Sequence, residues 1–284
     1  MIHQTIYLRE KGSLEKSCIR TYLIEDSPEF RIKKRPVVIV CPGGGYCYLS
    51  DREGEILALQ YNAMGYHAVV LKYSVDPARY PTALLEVGRT VMLLRQMAEP
   101  WHIDTDKIIV SGASAGGHLA ASYGMFWAED ILWNELKDGR ENMAEGISVK
   151  AEKDREILRP NGMILHYPVI TSGEFAHRDS FKFLLGERYD ELVEYMSLEH
   201  RVNKNTPPAF IWHTFEDGLV PVENSLLLVS AMKKENIPVE FHMYPKGGHG
   251  LSLASKLTQT PEGEEVVPAC QSWIHLVKTW IEEL

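Results

Sequence analysis

One short stretch places a serine between two glycines in a pattern that can create a nucleophile. Ile108–Val110 is a β-branched run, Gly112-Ala113-Ser114-Ala115-Gly116 follows it, and the next residues are small enough for a closely packed helix. A strand, a sharp turn and a helix in that order form a nucleophile elbow, which exposes a strained serine at its tip. Glycines at the flanking positions let the strand and the helix approach each other closely. The stretch predicts that Ser114 is a nucleophile.

A second stretch, Gly250-Leu251-Ser252-Leu253-Ala254, nearly repeats this pattern. The five-residue pattern occurs often by chance, and this copy lacks a preceding strand. We therefore interpret it as a coincidence.

A nucleophilic serine needs a base and an oriented carboxylate, because its hydroxyl is a poor nucleophile at neutral pH. In a doubly wound hydrolase these groups follow the serine in the order acid, then histidine. Asp217 comes just after one predicted strand, and His249 comes just after the last one, within the glycine loop 246–250. Such loops at the carboxyl ends of parallel strands meet at one edge of the sheet. The order predicts a triad of Ser114, Asp217 and His249.

Two other carboxylates compete with Asp217 for the acid position. Glu216 and Glu223 lie in the same region of the chain. We favour Asp217, because Gly218 follows it and allows a turn that aims a short side chain inward. A simple turn at a helix start is the alternative explanation for Asp217.

The third requirement is a set of backbone N–H groups for the developing oxyanion, and a glycine-rich turn can supply them. The residue after the nucleophile, Ala115, is expected to provide one donor. Gly43-Gly44-Gly45, after an early strand, is expected to provide the second, with Gly44 and Gly45 as alternatives. No Gly-Lys-Ser/Thr follows these glycines, so the sequence gives no support to a phosphate-binding loop.

The elements that would position these residues alternate between strands and helices. Predicted strands occupy 36–41, 67–73, 107–110, 163–167, 209–214 and 239–244, with helices over about 52–64, 81–98, 115–126 and 264–282 and one beginning at Pro221. Such alternation predicts a mostly parallel central sheet with helices on both faces. Residues 3–8 and 18–25 predict an antiparallel pair at the sheet's N-terminal edge. We expect residues 1–284 to form a single α/β domain.

A charged segment at about 127–159 interrupts this alternation. It predicts a partly helical surface insertion, with a lid, an oligomer arm and a plain solvated excursion as alternatives. Trp127 and Trp133 could form an apolar wall for a ligand, but ordinary packing is the simpler interpretation.

Composition narrows the function classes. The chain has 284 residues and a formal net charge of −9, which disfavours binding to a phosphate backbone. No basic and apolar leader is apparent, and no apolar run reaches the roughly 20 residues of a membrane helix. Four irregularly spaced cysteines predict reduced thiols and a cytoplasmic protein rather than a disulfide or zinc framework.

Some residues near the predicted strand ends invite other interpretations. His166 and His213 could suggest a metal pair, yet no ligand spacing supports one, so we expect hydrogen-bonded core histidines and neither metal nor cofactor. Cys41 and Cys47 flank the glycine loop but lie on no elbow, and we expect them to serve packing.

Taken together, four motifs resemble those of the α/β-hydrolase esterases. They are Pro42-Gly43-Gly44-Gly45-Tyr46, Gly112-Ala113-Ser114-Ala115-Gly116-Gly117-His118, Trp212-His213-Thr214 with Asp217-Gly218-Leu219-Val220-Pro221-Val222, and Gly247-Gly248-His249-Gly250. The likeness is strongest to bacterial carbohydrate acetyl or feruloyl esterases, including proteins similar to xylan esterases. It implies an α/β-hydrolase fold and hydrolysis of short acyl esters, with acetyl groups on small carbohydrates as the expected substrates. Lipase-type relatives carry a histidine where Pro42 stands, so the oxyanion loop must be supported differently here.

Two other functions stay open at this level. The same triad can cleave amides, as in formamidase-like or peptidase-like enzymes, and a hydrolase fold can also serve as a non-catalytic binding protein. The intact serine, acid, histidine and glycines favour catalysis. A homodimer is conceivable for a hydrolase of this size, although no stretch of the sequence indicates an interface.

Overall fold

The central strands of the sheet are nearly uninterrupted apolar runs. In the computed structural model, which describes residues 1–144 and 146–284, Val37–Cys41 and Ile108–Ala113 are buried. Strands with no polar alternation are expected where helices cover both faces of a sheet. These runs therefore form its middle, and the polar residues that follow them lie at its edge.

The described residues form ten strands and eight α-helices. The strands are β1 Thr5–Tyr7, β2 Cys18–Tyr22, β3 Arg35–Cys41, β4 His67–Lys72, β5 Ile103–Ala113, β6 Arg140–Ala144, β7 Ile147–Val149, β8 Gly162–His166, β9 Ala209–Thr214 and β10 Val239–Tyr244. The helices are α1 Glu55–Ala63, α2 Thr82–Gln96, α3 Ala115–Phe126, α4 Asp130–Leu136, α5 Arg178–Leu185, α6 Tyr189–Leu192, α7 Glu223–Lys234 and α8 Trp273–Glu283.

Eight of these strands form one sheet in the order β1-β2-β4-β3-β5-β8-β9-β10. The pairs from β4 to β10 are parallel, while β1 pairs with β2, and β2 with β4, in the antiparallel sense. The predicted mostly parallel sheet with an antiparallel N-terminal edge is confirmed. Because β3, β5, β8, β9 and β10 run in the same direction, the loops at their carboxyl ends meet at one edge.

Helices cover the sheet on both sides. On one face, α1 and α8 bury Leu57, Tyr61 and Trp273 against the strands. On the other face, Val87 of α2 and Tyr123 of α3 belong to the larger apolar core. Helix α3, which begins directly after the predicted nucleophile Ser114, therefore belongs to this second helix layer.

The segment 127–159 packs onto α2. It contains α4 and the separate two-stranded sheet β6–β7, and it buries Leu136 and Ile147. A Cβ added at Gly88 of α2 would lie 2.4 Å from the Leu136 Cδ1. The contact between α2 and the segment is therefore close, and the segment covers the core rather than extending into solvent as a loose excursion.

The last predicted helix begins too early. We predicted it over 264–282, but α8 spans Trp273–Glu283 and follows a short 3₁₀ turn at Pro268–Ser272. Gly263 and Glu265 have φ angles of +83° and +68°. Left-handed residues cannot continue a right-handed helix, so the chain before Pro268 forms a loop.

Candidate active site

Ser114 occupies a sharp turn between β5 and α3. Its φ and ψ are 55° and −118°, a region in which a residue with a Cβ is strained. A Cβ added at Gly112 would lie 2.0 Å from the Gly116 carbonyl oxygen, and one added at Gly116 would lie 2.1 Å from that of Cys41. These contacts leave room only for glycine at both positions, as the sequence pattern predicted.

We expect Gly116→Ala to destabilise the protein by about 3 kcal/mol or more, because the new methyl group must displace two backbone carbonyls. Urea unfolding followed by circular dichroism measures this change. Gly218→Ala is the matched control, since a Cβ at Gly218 meets nothing within 4 Å. Equal stabilities of the two variants would contradict the packing argument.

The three predicted residues of the triad form one hydrogen-bonded line. The Ser114 Oγ lies 2.8 Å from His249 Nε2, and His249 Nδ1 lies 2.7 Å from Asp217 Oδ2. An ionised carboxylate only accepts hydrogen bonds, so Nδ1 carries the proton and Nε2 keeps its lone pair toward the serine hydroxyl. Asp217 is buried, while 13% of the His249 side chain is exposed. The arrangement can remove the serine proton.

The position of Asp217 is fixed by its other oxygen. Oδ1 accepts hydrogen bonds from the backbone N–H groups of Leu219 (3.0 Å) and Val220 (2.9 Å). Gly218 has no left-handed φ and open space around its Cα. The turn is therefore held by the aspartate side chain itself, and the reason we gave from the sequence, a turn that needs Gly218, is wrong.

Neither rival carboxylate forms a hydrogen bond with His249. Glu216 is exposed and accepts a long bond of 3.4 Å from the Gly247 backbone N–H. Glu223 is the first residue of α7. The geometry therefore favours Asp217 as the partner of the imidazole.

A second imidazole, which the sequence analysis assigned to the core, shares the same carboxylate oxygen. His213 Nε2 lies 3.1 Å from Asp217 Oδ2 and 2.9 Å from the Val220 carbonyl oxygen. Both neighbours are acceptors, so Nε2 carries a proton and donates. Burial alone would raise the pKa of Asp217, but hydrogen bonds from His213 and His249 outweigh it and hold the pKa well below its ordinary value. Asp217 therefore stays ionised throughout the neutral range.

The low pKa of Asp217 predicts a stability that depends on pH. A carboxyl group whose pKa is depressed by folding stabilises the protein above its unfolded pKa, and this contribution is lost as the pH falls toward the folded pKa. We expect the free energy of unfolding of the wild type to fall more steeply below about pH 4 than that of Asp217→Asn. Urea titrations at a series of acidic pH values measure both slopes. Equal slopes for the two proteins would refute a depressed pKa of Asp217 in the folded state.

The glycine loop after β3 lies beside Ser114. Gly44 and Gly45 have φ angles of +123° and +62°, and both line the cavity that contains Ser114. Within the part of the chain that the structure describes, their N–H groups donate no hydrogen bond. Ala115 is buried in the first turn of α3. Free donors beside a nucleophile can hold an oxyanion, and both Gly44 and Gly45 remain candidates for the second donor.

The buried side chain of Glu53 holds this loop through a hydrogen bond. Its Oε2 accepts the Gly43 N–H at 2.9 Å, and its Oε1 accepts the Tyr167 hydroxyl at 2.6 Å. The Tyr167 oxygen also accepts the N–H of Ser252 at 2.9 Å. Glu53 is only 3% exposed. This buried chain connects the glycine loop with the loop that carries His249.

Glu53 and Tyr167 were not among the residues that the sequence indicated. A glutamate directly after a turn has the same appearance as a surface acid, and the two residues are 114 positions apart. No local spacing signals their contact.

We expect Glu53→Ala to lower kcat for p-nitrophenyl acetate by about 10- to 100-fold, because the glycine loop that we expect to bind the oxyanion loses a buried hydrogen-bond partner. The change also leaves two buried donors unsatisfied, which costs about 1–3 kcal/mol each. Glu53→Gln, which keeps one acceptor oxygen, should recover part of both losses. Steady-state kinetics and urea unfolding of the three proteins test this, and an active, fully stable Glu53→Ala would contradict it.

Arg52, next to Glu53, attaches the same two regions at the surface. Its guanidinium donates to the carbonyl oxygens of Thr258 (2.7 Å) and Gly250 (3.0 Å) and forms an ion pair with Glu265. The chain after His249 is thus fixed to the turn that precedes α1.

Ser114 opens onto a cavity of about 430 Å³. Its walls carry polar groups from several loops, among them His177, Asp179 and Glu265, and apolar ones from Tyr48, Phe183 and Leu219. Within the described residues, no residue of the segment 127–159 lines it. Trp127 is buried and donates its indole N–H to the Asn205 carbonyl oxygen at 2.9 Å, as expected for packing.

The remaining candidates have structural partners. The ring of His166 lies 3.0 Å from the Ser111 hydroxyl and accepts the Trp212 indole N–H, and burial lowers its pKa to about 3. Cys41 is buried, whereas Cys47 is exposed and lines the cavity. Among residues 1–144 and 146–284, no group of three or more histidine, cysteine or acidic side chains is arranged to hold a metal ion. In the same ranges, no helix is long and apolar enough to cross a membrane.

Ser252, in the second serine pattern, lies in a different setting from Ser114. It is buried in a loop, and its hydroxyl donates to the Arg52 carbonyl oxygen at 2.7 Å. No strand leads into it and no helix follows it directly. The structure therefore gives this serine a structural contact and no elbow.

Comparison with known proteins agrees with this architecture. The chain is 39% identical over 227 residues to endo-1,4-beta-xylanase B of Butyrivibrio fibrisolvens, covering 78% of this chain and 33% of that protein. It is 28% identical over 258 residues to the acetylxylan esterase of Xylanibacter ruminicola, covering 88% of this chain and 46% of that protein. The chain thus spans between a third and a half of the length of these curated relatives.

The match to solved structures covers a larger share of each of those proteins than the match to the curated relatives does. An acetyl ester-xyloside bifunctional hydrolase from Caldicellulosiruptor lactoaceticus has 37% identity and a TM-score of 0.77, covering 94% of this chain and 88% of that one. The carboxylesterase Cest-2923 from Lactobacillus plantarum has 27% identity and a TM-score of 0.79, covering 100% and 98%. The BD-FAE family matches residues 26–232, more than half of the chain. The chain therefore has the α/β-hydrolase fold and belongs to the BD-FAE family.

Proposed function

We propose that this protein is a serine esterase that removes short acyl groups, acetyl above all, from small acylated carbohydrates through an acyl-enzyme. The main support is the hydrogen bonding of Ser114 to His249 and of His249 to Asp217. Ser114 and His249 line the cavity. The names of its relatives support the carbohydrate part, since they include an acetylxylan esterase and an acetyl ester-xyloside hydrolase.

The proposed acylation begins when Ser114 Oγ attacks the ester carbonyl carbon while His249 Nε2 accepts the hydroxyl proton. Asp217 holds the Nδ1–H and stabilises the imidazolium that forms. The N–H groups of Ala115 and of Gly44 or Gly45 bind the oxyanion. His249 then gives its proton to the leaving alkoxide, so a sugar hydroxyl departs and Ser114 keeps the acyl group.

Deacylation repeats these steps with water. His249 Nε2 removes a proton from water, the resulting hydroxide attacks the acyl carbon, and the second oxyanion collapses. The acid leaves and the proton returns to Ser114, so the free enzyme is restored.

An ester panel tests the proposal. We expect kcat/KM to be highest for p-nitrophenyl acetate and to fall for butyrate and octanoate, with acetate released from acetylated xylo-oligosaccharides. A protein that cleaves p-nitrophenyl acetate but releases no acetate from the oligosaccharides would refute the carbohydrate assignment. Faster turnover of formyl-aryl amides than of any ester would favour an amide hydrolase.

A further inference from the structure

A second hollow adjoins the catalytic cavity. It has a volume of about 690 Å³, larger than the 430 Å³ of the catalytic cavity, and Cys47 and Tyr48 line both. Its floor is the face of β2 and β4 near the antiparallel edge of the sheet. A ligand that passes over Tyr48 can therefore occupy both spaces.

Tyr48 is an exposed aromatic residue on a tight turn. Tyr48 is 61% exposed. Its backbone N–H donates a hydrogen bond to the Gly44 carbonyl oxygen at 3.1 Å. A Cβ added at Gly44 would lie 2.3 Å from the Tyr48 carbonyl oxygen, so the backbone here is closely packed. The exposed ring on this closely packed backbone combines an apolar face with a polar hydroxyl, and such side chains supply contact area at many recognition surfaces.

Two cations lie side by side in the hollow. Cys18 of β2 pairs with Lys72 of β4, which puts Arg20 diagonally opposite Lys72 on the same face. Such diagonal neighbours are about 7–8 Å apart, close enough for long side chains to share a ligand. Both residues pair through their backbones within the sheet, but within the described residues neither the Arg20 guanidinium nor the Lys72 ammonium forms a hydrogen bond or an ion pair.

The other charges of the hollow do not neutralise this pair by direct contact. Lys16, Glu15 and Asp51 also line it, and Asp76 is ion-paired with Arg79. Glu55, which lines the adjoining space beside Arg20 and Lys72, interacts with the Tyr22 hydroxyl. Two adjacent cations without a bonded acid are suited to an anionic ligand, since arginine binds a carboxylate with two parallel hydrogen bonds.

We propose that this hollow, the groove around Arg20 and Lys72, binds a carboxylate-bearing sugar linked to the acylated sugar in the catalytic cavity. The inference rests on the proposed carbohydrate esterase function and narrows it to acidic oligosaccharides. The chain of the ligand crosses the Tyr48 ring, and its carboxylate reaches the two cations. Catalysis at Ser114 needs no part of the groove.

The test compares acetylated xylo-oligosaccharides that carry a glucuronic acid branch with neutral ones of the same length. We expect the wild type to have a higher kcat/KM for the acidic substrate. In Arg20→Gln/Lys72→Gln we expect the ratio of acidic to neutral kcat/KM to fall about fivefold, as for partly exposed charge pairs. Lys234→Gln, which removes one exposed charge from α7, is the matched control and should keep the ratio. Hydrolysis of p-nitrophenyl acetate by each variant reports an intact catalytic site.

A second measurement needs no variant. Because salt screens partly exposed charges, the preference of the wild type should decline as sodium chloride rises from about 0.01 M to 1 M. Equal turnover of acidic and neutral substrates by the wild type, or an unchanged ratio in the double variant, would refute carboxylate binding in the groove. The proposed esterase function would not be affected. Failure on both oligosaccharides with p-nitrophenyl acetate still cleaved would instead refute the proposed carbohydrate function.

Discussion

Ser114→Ala is expected to lower kcat for p-nitrophenyl acetate by about 10⁴-fold or more, because it removes the hydroxyl that we propose as the nucleophile. The backbone donors and the cavity are retained, so a small residual rate over water should persist. Alanine removes only the hydroxyl, and the left-handed turn is unchanged, so we expect little effect on stability. Steady-state kinetics measure the loss.

A fluorophosphonate probe provides the control for this prediction. It should label the wild type and fail to label Ser114→Ala, while Ser252→Ala, in the second serine pattern, should be labelled like the wild type. A Ser114→Ala protein that keeps more than about a tenth of its activity would exclude Ser114 as the nucleophile, and undiminished labelling of this variant would indicate another reactive serine.

Asp217→Asn is expected to lower kcat by about 10⁴-fold. The loss arises because the proton of His249 moves to the other ring nitrogen, and not because the site changes its conformation. The Oδ1 position faces two backbone donors, so an asparagine would put its carbonyl oxygen there. Its amide NH₂ would then face His249 Nδ1 and donate to it. The imidazole would carry its proton on Nε2, toward Ser114, and could not accept the serine proton.

Crystallography and kinetics together test the Asp217 prediction. The variant should keep the positions of His249 and Ser114 while losing activity, and Glu216→Gln should stay close to wild type, since Glu216 is exposed. Activity of Asp217→Asn within about tenfold of wild type would return Glu216 and Glu223 to consideration.

The sequence predicted those parts of the fold that depend on local pattern. Strands β9 and β10 have the predicted bounds, Ala209–Thr214 and Val239–Tyr244. The first is a largely apolar segment and the second alternates apolar and polar residues, and prolines directly precede both. The sharp turn at Ser114 could be predicted because it needs glycines at fixed positions.

What the sequence could not predict arises from contacts between distant segments. His213 looked like an ordinary core histidine, yet it donates to the carboxylate of Asp217. The hydrogen bond between Glu53 and Tyr167, beside the glycine loop, joins residues that no spacing rule connects. The start of α8 was misplaced because left-handed residues such as Glu265 cannot be recognised from residue type.

The link from Glu53 through Tyr167 to Ser252 has a consequence for engineering by loop exchange. The Glu53 carboxylate holds the glycine loop through Gly43. Through Tyr167 it also holds Ser252, in the loop that carries His249. Arg52 repeats this attachment at the surface. A loop after β10 taken from a relative will therefore work only if its turn before α1 is transferred with it, so the two segments form one exchangeable unit.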